Sequence, residues 1–331
     1  MSRPSPSRDA PGSTPSSANK LKVVLTGSAG MLGSAIAEQW ALLRPDDELV
    51  ALTRQEVDLR DAAATLDAFA DIAPDAVVHA AARVAGIADK LAHPATFLQQ
   101  NLQLDSSVVS ASIALEIPEL LYVSSGAIYP AALPQPLTED DLLGGVLEGA
   151  NEGYALAKIT GGKLCEYASR EFGFAYRAAV PSNLYGPGDS FGAGRAHLVA
   201  STIVKAHDAV AAGDSTIEVW GDGTARREFT YSVDLAAWLV SQVGSLEHWP
   251  SLLNLGVGFD HSIREYYEAA ARVAGFTGEF AYDTTKPSGV MQRLLDSSRA
   301  RDLGWNPTTT LDEGYAACYE GFVTAQSQKA N

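Results

Sequence analysis

The sequence contains little cysteine: Cys165 and Cys318 are the only two, and neither belongs to a C-x-x-C pair. The six histidines form no cluster at the spacing of metal ligands. Two isolated thiols in 331 residues exclude a disulfide framework and a structural zinc site. Both cysteines are therefore expected to be packing residues. The composition predicts a globular, metal-free protein of the cytoplasm.

Basic residues are also scarce, with 24 Lys and Arg against 40 Asp and Glu and a net charge of −16. This charge repels a phosphate backbone, so no nucleic-acid partner is predicted. No stretch approaches the roughly 18 uninterrupted apolar residues of a membrane span, so no membrane association is predicted. Residues 1–19 hold six serines and four prolines without an apolar run. They are expected to form a disordered tail rather than a signal peptide.

What the sequence does contain is a regular alternation of apolar strands and helical segments. Strands are predicted at 21–26, 48–52, 75–80, 120–123 and 174–180. Helices are predicted from the end of a glycine turn at 27–33 to about residue 43, at 94–115 and at 154–172. Apolar strands alternating with helices indicate an α/β fold with a Rossmann-type, doubly wound parallel sheet, mainly within residues 20–182. Glycine- and proline-rich turns follow. Residues 183–325 are therefore predicted to form mainly a smaller, irregular α/β substrate-binding lobe, with some segments returning to the first domain.

A glycine turn joins the first predicted strand to the first helix. Gly27, Gly30 and Gly33 have the spacing in which one glycine makes the turn, the next admits a pyrophosphate and the third packs the helix on the strand. Met31 and Leu32 lie within this turn and are candidates at the cofactor, next to a helix N-terminus that attracts the anion. A glycine turn without a ligand is the alternative, but its position between strand and helix favours a bound dinucleotide.

The end of the second predicted strand indicates which dinucleotide binds. An acidic residue there would bind a free ribose 2′-hydroxyl, whereas this chain has Arg54 and no acid before Glu56. The pattern predicts NADP(H), with Arg54 at the 2′-phosphate, unless Arg54 is only a solvated loop charge. Asp58 is a candidate for the adenine edge. Ala81 and Ala82 follow the third strand and would let the dinucleotide lie close.

Tyr154 and Lys158 stand four residues apart, on one face of a predicted helix. An ammonium group near a phenol lowers the phenol's pKa, and a tyrosine so tuned can give a proton to a carbonyl oxygen that is being reduced. Ser125, just after the fourth strand, could hold the same oxygen. The three residues predict a reductive catalytic site, although a Tyr-x-x-x-Lys pair alone is usually a surface pair.

The chain from residue 21 to about 322 resembles the extended short-chain dehydrogenase/reductase family. Four groups of segments carry the resemblance: 151–155 with 158–159; 181–191; 219–221 with 227–229; and 286–289 with 294–296 and 303–305. They are similar to the GDP-4-keto-6-deoxy-mannose epimerase/reductases of that family. The resemblance implies a catalytic Ser125, Tyr154 and Lys158, an NADP(H) cofactor, a GDP-sugar substrate and a product such as GDP-L-fucose.

The resemblance also implies further binding residues. Candidates at the cofactor, besides those above, are Asn101, Pro181, Asn183 and Leu184. Candidates at the GDP-sugar, besides Ser125 and the histidine discussed below, are Asn183, Lys205, Trp220, Arg227 and Arg293. Cations there would attract the two charges of a sugar diphosphate to an otherwise acidic protein. The helices predicted at 94–115 and 154–172 resemble the pair through which the family forms homodimers.

Epimerisation beside the ketone needs one group to remove a proton and another to deliver one. The family uses a cysteine and a histidine. His197 stands where the resemblance places the histidine, but Ala127 occupies the cysteine's position, and alanine carries no proton. Three hypotheses follow: epimerisation with a substituted base, epimerisation of one carbon only, or plain 4-keto reduction of a related nucleotide sugar.

Two other functions are alternatives for this sequence. A UDP-hexose 4-epimerase would use Ser125 and Tyr154 too, but it fits Arg54 and the 286–289 segment less well. A non-enzymatic dinucleotide-binding scaffold would need no intact Ser, Tyr and Lys set.

Overall fold

The computed structural model describes residues 20–192, 196–286 and 290–330. The predicted tail at 1–19 and residues 287–289 of the 286–289 segment lie outside this part of the chain. The strands are β1 (Lys22–Thr26), β2 (Glu48–Leu52), β3 (Ala76–His79), β4 (Glu119–Val123), β5 (Ala175–Pro181), β6 (Asn183–Tyr185), β7 (Thr216–Trp220), β8 (Arg226–Arg227), β9 (Phe229–Tyr231), β10 (Leu252–Leu255), β11 (His261–Ser262), β12 (Glu279–Asp283) and β13 (Gln292–Arg293).

The helices of the described residues complete the layers. They are α1 (Met31–Leu43), α2 (Ala62–Ile72), α3 (Ile87–Ala92), α4 (Pro94–Ala114), α5 (Glu152–Phe172), α6 (Leu198–Ala212), α7 (Ser232–Gln242), α8 (Ile263–Ala274), α9 (Ser298–Asp302) and α10 (Leu311–Ala330). No helix within these residues is long and apolar enough to cross a membrane.

The main sheet has six parallel strands in the order β10-β5-β4-β3-β1-β2. From β1 the chain first adds β2 on one side and then β3, β4 and β5 on the other. Its connections therefore reverse direction between β1 and β3, where a crevice opens at the carboxyl ends of the strands. The predicted fold class is confirmed, and every predicted strand and helix matches an observed one to within three residues at each end. The largest difference is at α1, which begins at Met31, inside the glycine turn.

Apolar side chains pack on both faces of this sheet. On one face, Trp40 of α1 and Leu239 of α7 belong to one core. On the other, Phe69 of α2, Val108 of α4 and Cys165 of α5 belong to a second. Because both faces are covered, the strands between them are nearly continuous apolar runs.

A third core lies in the C-terminal part of the chain. It joins Ile203 of α6, Tyr266 of α8 and Tyr315 and Cys318 of α10, all at most 1% exposed. Thus both cysteines are buried and unpaired, as expected. Strand β10 and helix α7 nevertheless pack with the main sheet. The domain boundary near residue 183 stays a prediction.

Within residues 20–182, helices α2 and α3 were not predicted from the sequence. Helix α2 begins at Asp61, whose carboxylate accepts hydrogen bonds from the backbone N–H groups of Ala63 and Ala64. This N-cap was the local signal that could have found it. Helix α3 has six residues and no side-chain N-cap, so it carries no comparable signal.

Candidate active site

The glycine turn lies at the reversal point of the sheet. Gly27 has φ of +75°, and a Cβ built there would lie 2.6 Å from the Ala81 Cα after β3. A Cβ on Gly33 would overlap the Gly27 carbonyl oxygen. Gly30 is the N-cap of α1 and gives no side-chain cap, so the first N–H groups of the helix have no competing side-chain acceptor. This cradle fits the pyrophosphate of a dinucleotide.

The Gly33→Ala variant tests the cradle. The new methyl group has to push α1 away from the turn, because its obstacle is backbone rather than a flexible side chain. Overpacking of this kind costs about 1–3 kcal/mol of folding free energy. Because the shift also moves the N–H groups that face the pyrophosphate, we expect the Kd for NADPH to rise at least about tenfold, the low end for one hydrogen bond to a charged group. Fluorescence titration measures it. The control is Gly149→Ala, whose added Cβ meets nothing within 4 Å; equal affinities for the two variants would contradict the cradle.

Around the predicted 2′-phosphate site, the charged residues have different surroundings. Arg54 is exposed in the turn after β2. Glu56 instead accepts hydrogen bonds from the backbone N–H and hydroxyl of Thr53, which lower the pKa of its carboxyl group. Asp58 is paired with Arg60, which holds the pKa of the Asp58 carboxyl at about 2. Any contact between Asp58 and the adenine therefore competes with this ion pair.

Asn101 is fully buried, and its side chain is occupied by protein partners. Its Oδ1 accepts from the Arg83 backbone N–H at 2.8 Å, and its Nδ2 donates to the carbonyls of Arg83 and Phe97. Asn101 thereby fixes the segment after β3, in which Ala81 and Ala82 lie. Its contact with the cofactor stays a prediction.

The catalytic candidates meet at the carboxyl end of β4. Ser125 follows this strand and caps a short 3-10 turn, where its Oγ accepts from the Ala127 N–H at 3.2 Å. The Ser125 hydroxyl also lies close enough to the Tyr154 phenol, on α5, to lower its pKa. Burial outweighs this effect and raises the pKa of Tyr154. The phenol is therefore protonated at neutral pH, as a proton donor must be.

The position of Lys158 corrects one expectation. Its ammonium donates to the Val123 carbonyl at 3.1 Å, lies 3.5 Å from an Asp105 oxygen and stands over the Tyr122 ring. The sequence analysis expected this charge to lower the pKa of Tyr154. The structure shows the opposite net direction, because the phenol is buried and Asp105 adds a negative charge beside the lysine.

Asp105 is the centre of a buried polar network that the sequence analysis did not find. Its Oδ2 accepts from the Tyr122 hydroxyl at 2.6 Å, and its Oδ1 from His79 Nε2 at 3.0 Å. Burial lowers the pKa of His79, so the neutral ring donates here and accepts from Thr26 through Nδ1 at 2.7 Å. Burial pushes the pKa of Asp105 upward, but Lys158 and these hydrogen bonds outweigh it and lower that pKa.

Lys90 also approaches Tyr154, although no sequence motif indicated it. The Lys90 ammonium stands 4.7 Å from the centre of the Tyr154 ring and donates to the Asn151 side chain at 2.9 Å. His197 is the N-cap residue of α6 and is exposed. Desolvation of its ring by the surrounding protein, and then the charge of Lys90, lower the pKa of His197. Thus α3, α5 and the start of α6 bring three proton-carrying groups together.

Two predicted substrate residues adjoin this group. Arg293 donates from Nη1 to the carbonyls of Gly126 and Tyr129, on the turn that Ser125 begins. Its Nη2 lies 3.6 Å from Glu148. Burial lowers the pKa of Arg227 and of Arg293. The charges of Glu148 and Arg293 also act on Arg227. These guanidinium groups are half-buried cations near Ser125.

The remaining candidates lie on other elements. The Asn183 amide, on β6, donates to the Glu228 carbonyl, and Pro181 and Leu184 lie at the end of β5 and on β6. Lys205, on α6, donates to the Glu218 carbonyl and the Tyr267 hydroxyl. Trp220, at the end of β7, is 52% exposed, and its ring lies below Lys286. Lys205 and Trp220 thus share β7 as their support.

A glycine cradle at a reversal point of a parallel sheet, with serine, tyrosine and lysine at the same sheet edge, defines an extended short-chain dehydrogenase/reductase. The model of the NAD dependent epimerase/dehydratase family matches residues 23–250. The chain belongs to this family.

The chain is similar to several known enzymes over most of its length. A GDP-L-fucose synthase of Azorhizobium caulinodans is 41% identical over 303 residues, which span 92% of this chain and 96% of the relative. A GDP-L-colitose synthase of Yersinia pseudotuberculosis is 36% identical over 308 residues, spanning 93% and 99%. The solved structure of a GDP-mannoheptose C4 reductase from Campylobacter jejuni with NADP bound has a TM-score of 0.84 at 28% identity, covering 92% of this chain and 99% of that one.

Proposed function

We propose that the protein is an NADPH-dependent epimerase/reductase that converts a GDP-4-keto-6-deoxyhexose to a GDP-deoxysugar, with GDP-L-fucose as the favoured product. The observation that carries the proposal is a protonated Tyr154 phenol beside Ser125, at the sheet edge that also holds the glycine cradle. The names of the relatives support a GDP-sugar substrate. The NADP in the C4 reductase structure supports the cofactor.

In the reduction, NADPH supplies the hydride. Tyr154 gives its proton to the ketone oxygen as that oxygen gains charge, and the Ser125 hydroxyl orients the same oxygen. Lys158 is held by the Val123 carbonyl and by Asp105, and its positive charge favours the phenolate that remains on Tyr154. Burial of these groups strengthens each of these interactions.

Substrate recognition is proposed to use these half-buried cations. Arg227 and Arg293 would bind the diphosphate, since a guanidinium group matches two phosphate oxygens at once. Lys205, Trp220 and Asn183 are proposed to hold the rest of the GDP-sugar. Binding then replaces part of the attraction between Arg293 and Glu148.

One alternative is favoured by a specific observation. Ala127 stands on the Ser125 turn where the resemblance places a cysteine, so the thiol expected for epimerisation is missing. The likeness to a GDP-mannoheptose C4 reductase supports plain 4-keto reduction in the same site.

One experiment separates these functions. The protein is incubated with GDP-4-keto-6-deoxy-mannose and NADPH in deuterated water, NADPH oxidation is followed by absorbance, and deuterium in the product is located by NMR. Label at both carbons beside the ketone supports double epimerisation, label at one supports mono-epimerisation, and label at neither supports a plain reductase. No NADPH oxidation would contradict the proposed function for this substrate.

Arg54 is proposed to bind the 2′-phosphate of NADPH. In Arg54→Ser, the Kd for NADPH is expected to rise about tenfold, at the low end for a hydrogen bond to a charged group because the site is exposed. The Kd for NADH is the internal control, since NADH lacks that phosphate and should bind both forms equally. A similar loss for both cofactors would contradict the assignment.

A homodimer is proposed through α4 and α5. Leu156 and Tyr167 stand on one side of α5 and are 39% and 47% exposed, which a partner helix would cover. Sedimentation velocity tests the dimer. The cytoplasmic location stays a prediction.

A further inference from the structure

Lys90 is a half-buried cation that has no carboxylate partner at ion-pair distance in the described part of the chain. Among the described residues, no Asp or Glu oxygen lies within 4.0 Å of its ammonium group. The ammonium instead faces the Tyr154 ring and the Asn151 amide oxygen. A lysine placed only for stability would usually be paired or would reach solvent. This one reaches toward the catalytic phenol.

Three charged or titratable groups surround this ammonium. Glu148 lies far enough away that it acts on Lys90 only through its charge. His197 approaches from the start of α6, and Tyr154 from α5. Burial lowers the pKa of Lys90, so its ammonium is a stronger acid than a solvated lysine. Desolvation of the ring and the charge of Lys90 lower the pKa of His197, which favours the neutral imidazole.

We propose that Lys90 and His197 form the acid/base pair for epimerisation. In this pair Lys90 replaces the cysteine that the resemblance places at the position of Ala127. The inference rests on the proposed function and deepens it, because it selects epimerisation with a substituted group over plain reduction. The neutral His197 is the base and the Lys90 ammonium is the acid. The two groups come from separate elements, α3 and the N-cap of α6, and the proposal places them on opposite faces of the sugar.

The proton balance of the step is complete. His197 takes a proton from the carbon beside the ketone, and the C–H electron pair moves into the ketone to give an enolate. The Tyr154 and Ser125 hydroxyls hydrogen-bond the enolate oxygen. Lys90 then delivers a proton to the opposite face of that carbon. The pair ends as imidazolium and neutral amine, and solvent returns one proton to Lys90 and removes one from His197.

The Lys90→Arg variant tests the pair. Arginine keeps the positive charge beside Tyr154 and His197 but cannot release a proton in a protein. In deuterated water with GDP-4-keto-6-deoxy-mannose and NADPH, we expect the deuterium incorporated per NADPH oxidised to fall at least about a hundredfold, the usual worth of a positioned acid. The Lys90→Met variant, which also removes the charge, should lose the label as well.

The matched control is Lys163→Arg on the catalytic helix. Lys163 is paired with Glu166 at 2.8 Å, and this variant should incorporate deuterium at the wild-type ratio. Circular dichroism and NADPH binding establish that both Lys90 variants are folded. A wild-type ratio in folded Lys90→Arg would overturn the pair.

The wild-type protein distinguishes this inference from the proposed function. NADPH oxidation without any deuterium in the product would overturn the Lys90–His197 pair and leave a 4-keto reductase. No oxidation of NADPH would overturn the proposed function itself, and the pair with it.

Discussion

The Tyr154→Phe variant is expected to lose the reductase activity almost completely. The change removes one oxygen, the only group that the proposed mechanism uses to protonate the ketone oxygen. A positioned acid contributes about 10²–10⁴-fold, so NADPH oxidation should slow by that factor. The ring itself remains to pack against Lys90. The Kd for NADPH should therefore change little, and stopped-flow absorbance and fluorescence titration measure the two quantities.

A second Tyr→Phe exchange provides the control. The Tyr319 hydroxyl, on α10, hydrogen-bonds His207 at 3.0 Å in the C-terminal core. Tyr319→Phe also removes a phenol oxygen, but from the C-terminal core rather than from the site at the Ser125 turn. This variant should oxidise NADPH at close to the wild-type rate. If Tyr154→Phe kept more than about a tenth of that rate, another group would have to be the proton donor.

The parts of the site that could be predicted from the sequence are those fixed by local backbone rules. At Gly27 and Gly33 a Cβ would overlap neighbouring backbone, so only glycine fits. Both positions lie in one seven-residue segment, which makes the turn recognisable from the sequence. Tyr154 and Lys158 lie one helical turn apart, so their common helix face follows from their spacing. Strand and helix positions follow from the apolar pattern in the same way.

The buried network could not be predicted, because its members come from separate elements. Thr26, His79 and Asp105 belong to β1, β3 and α4, and each is an unremarkable polar residue in its own segment. Their contact depends on the strand order that places β3 beside β1. A histidine ending a predicted apolar strand was the available hint, because a buried polar group needs a partner.

Lys90 was missed for a different reason. It lies in α3, a six-residue helix without a side-chain cap, between two segments that the pattern did identify. Nothing in the local sequence distinguishes it from a surface lysine. Lys90 comes near Tyr154 and His197 only when α3, α5 and α6 pack together. The sequence therefore reveals that Ala127 stands in place of a cysteine, but it does not reveal Lys90 as the group proposed to replace it.

The Asp105→Asn variant is expected to show the second large effect, on stability and on pH dependence together. Asparagine has nearly the same shape, but it leaves the buried Lys158 ammonium without its counter-charge. Breaking a buried ion pair costs about 3–5 kcal/mol of unfolding free energy, which urea denaturation at pH 7 measures. The pKa of Asp105 is lowered in the folded state, so the difference from wild type should shrink as pH falls below about 4.

The activity of Asp105→Asn should also shift with pH, in a direction that the structure fixes. The charge of Asp105 raises the pKa of Tyr154, so removing it lowers that pKa. Because the proton donor must be protonated, the alkaline limb of kcat for ketone reduction should move to lower pH. Tyr122→Phe is the control, since it removes a 2.6 Å hydrogen bond to the same carboxylate without changing its charge. Tyr122→Phe should lower the free energy of unfolding by about 1.5–3 kcal/mol and leave the alkaline limb of kcat unchanged. Equal shifts in the two variants would show that packing, rather than the charge of Asp105, governs the phenol.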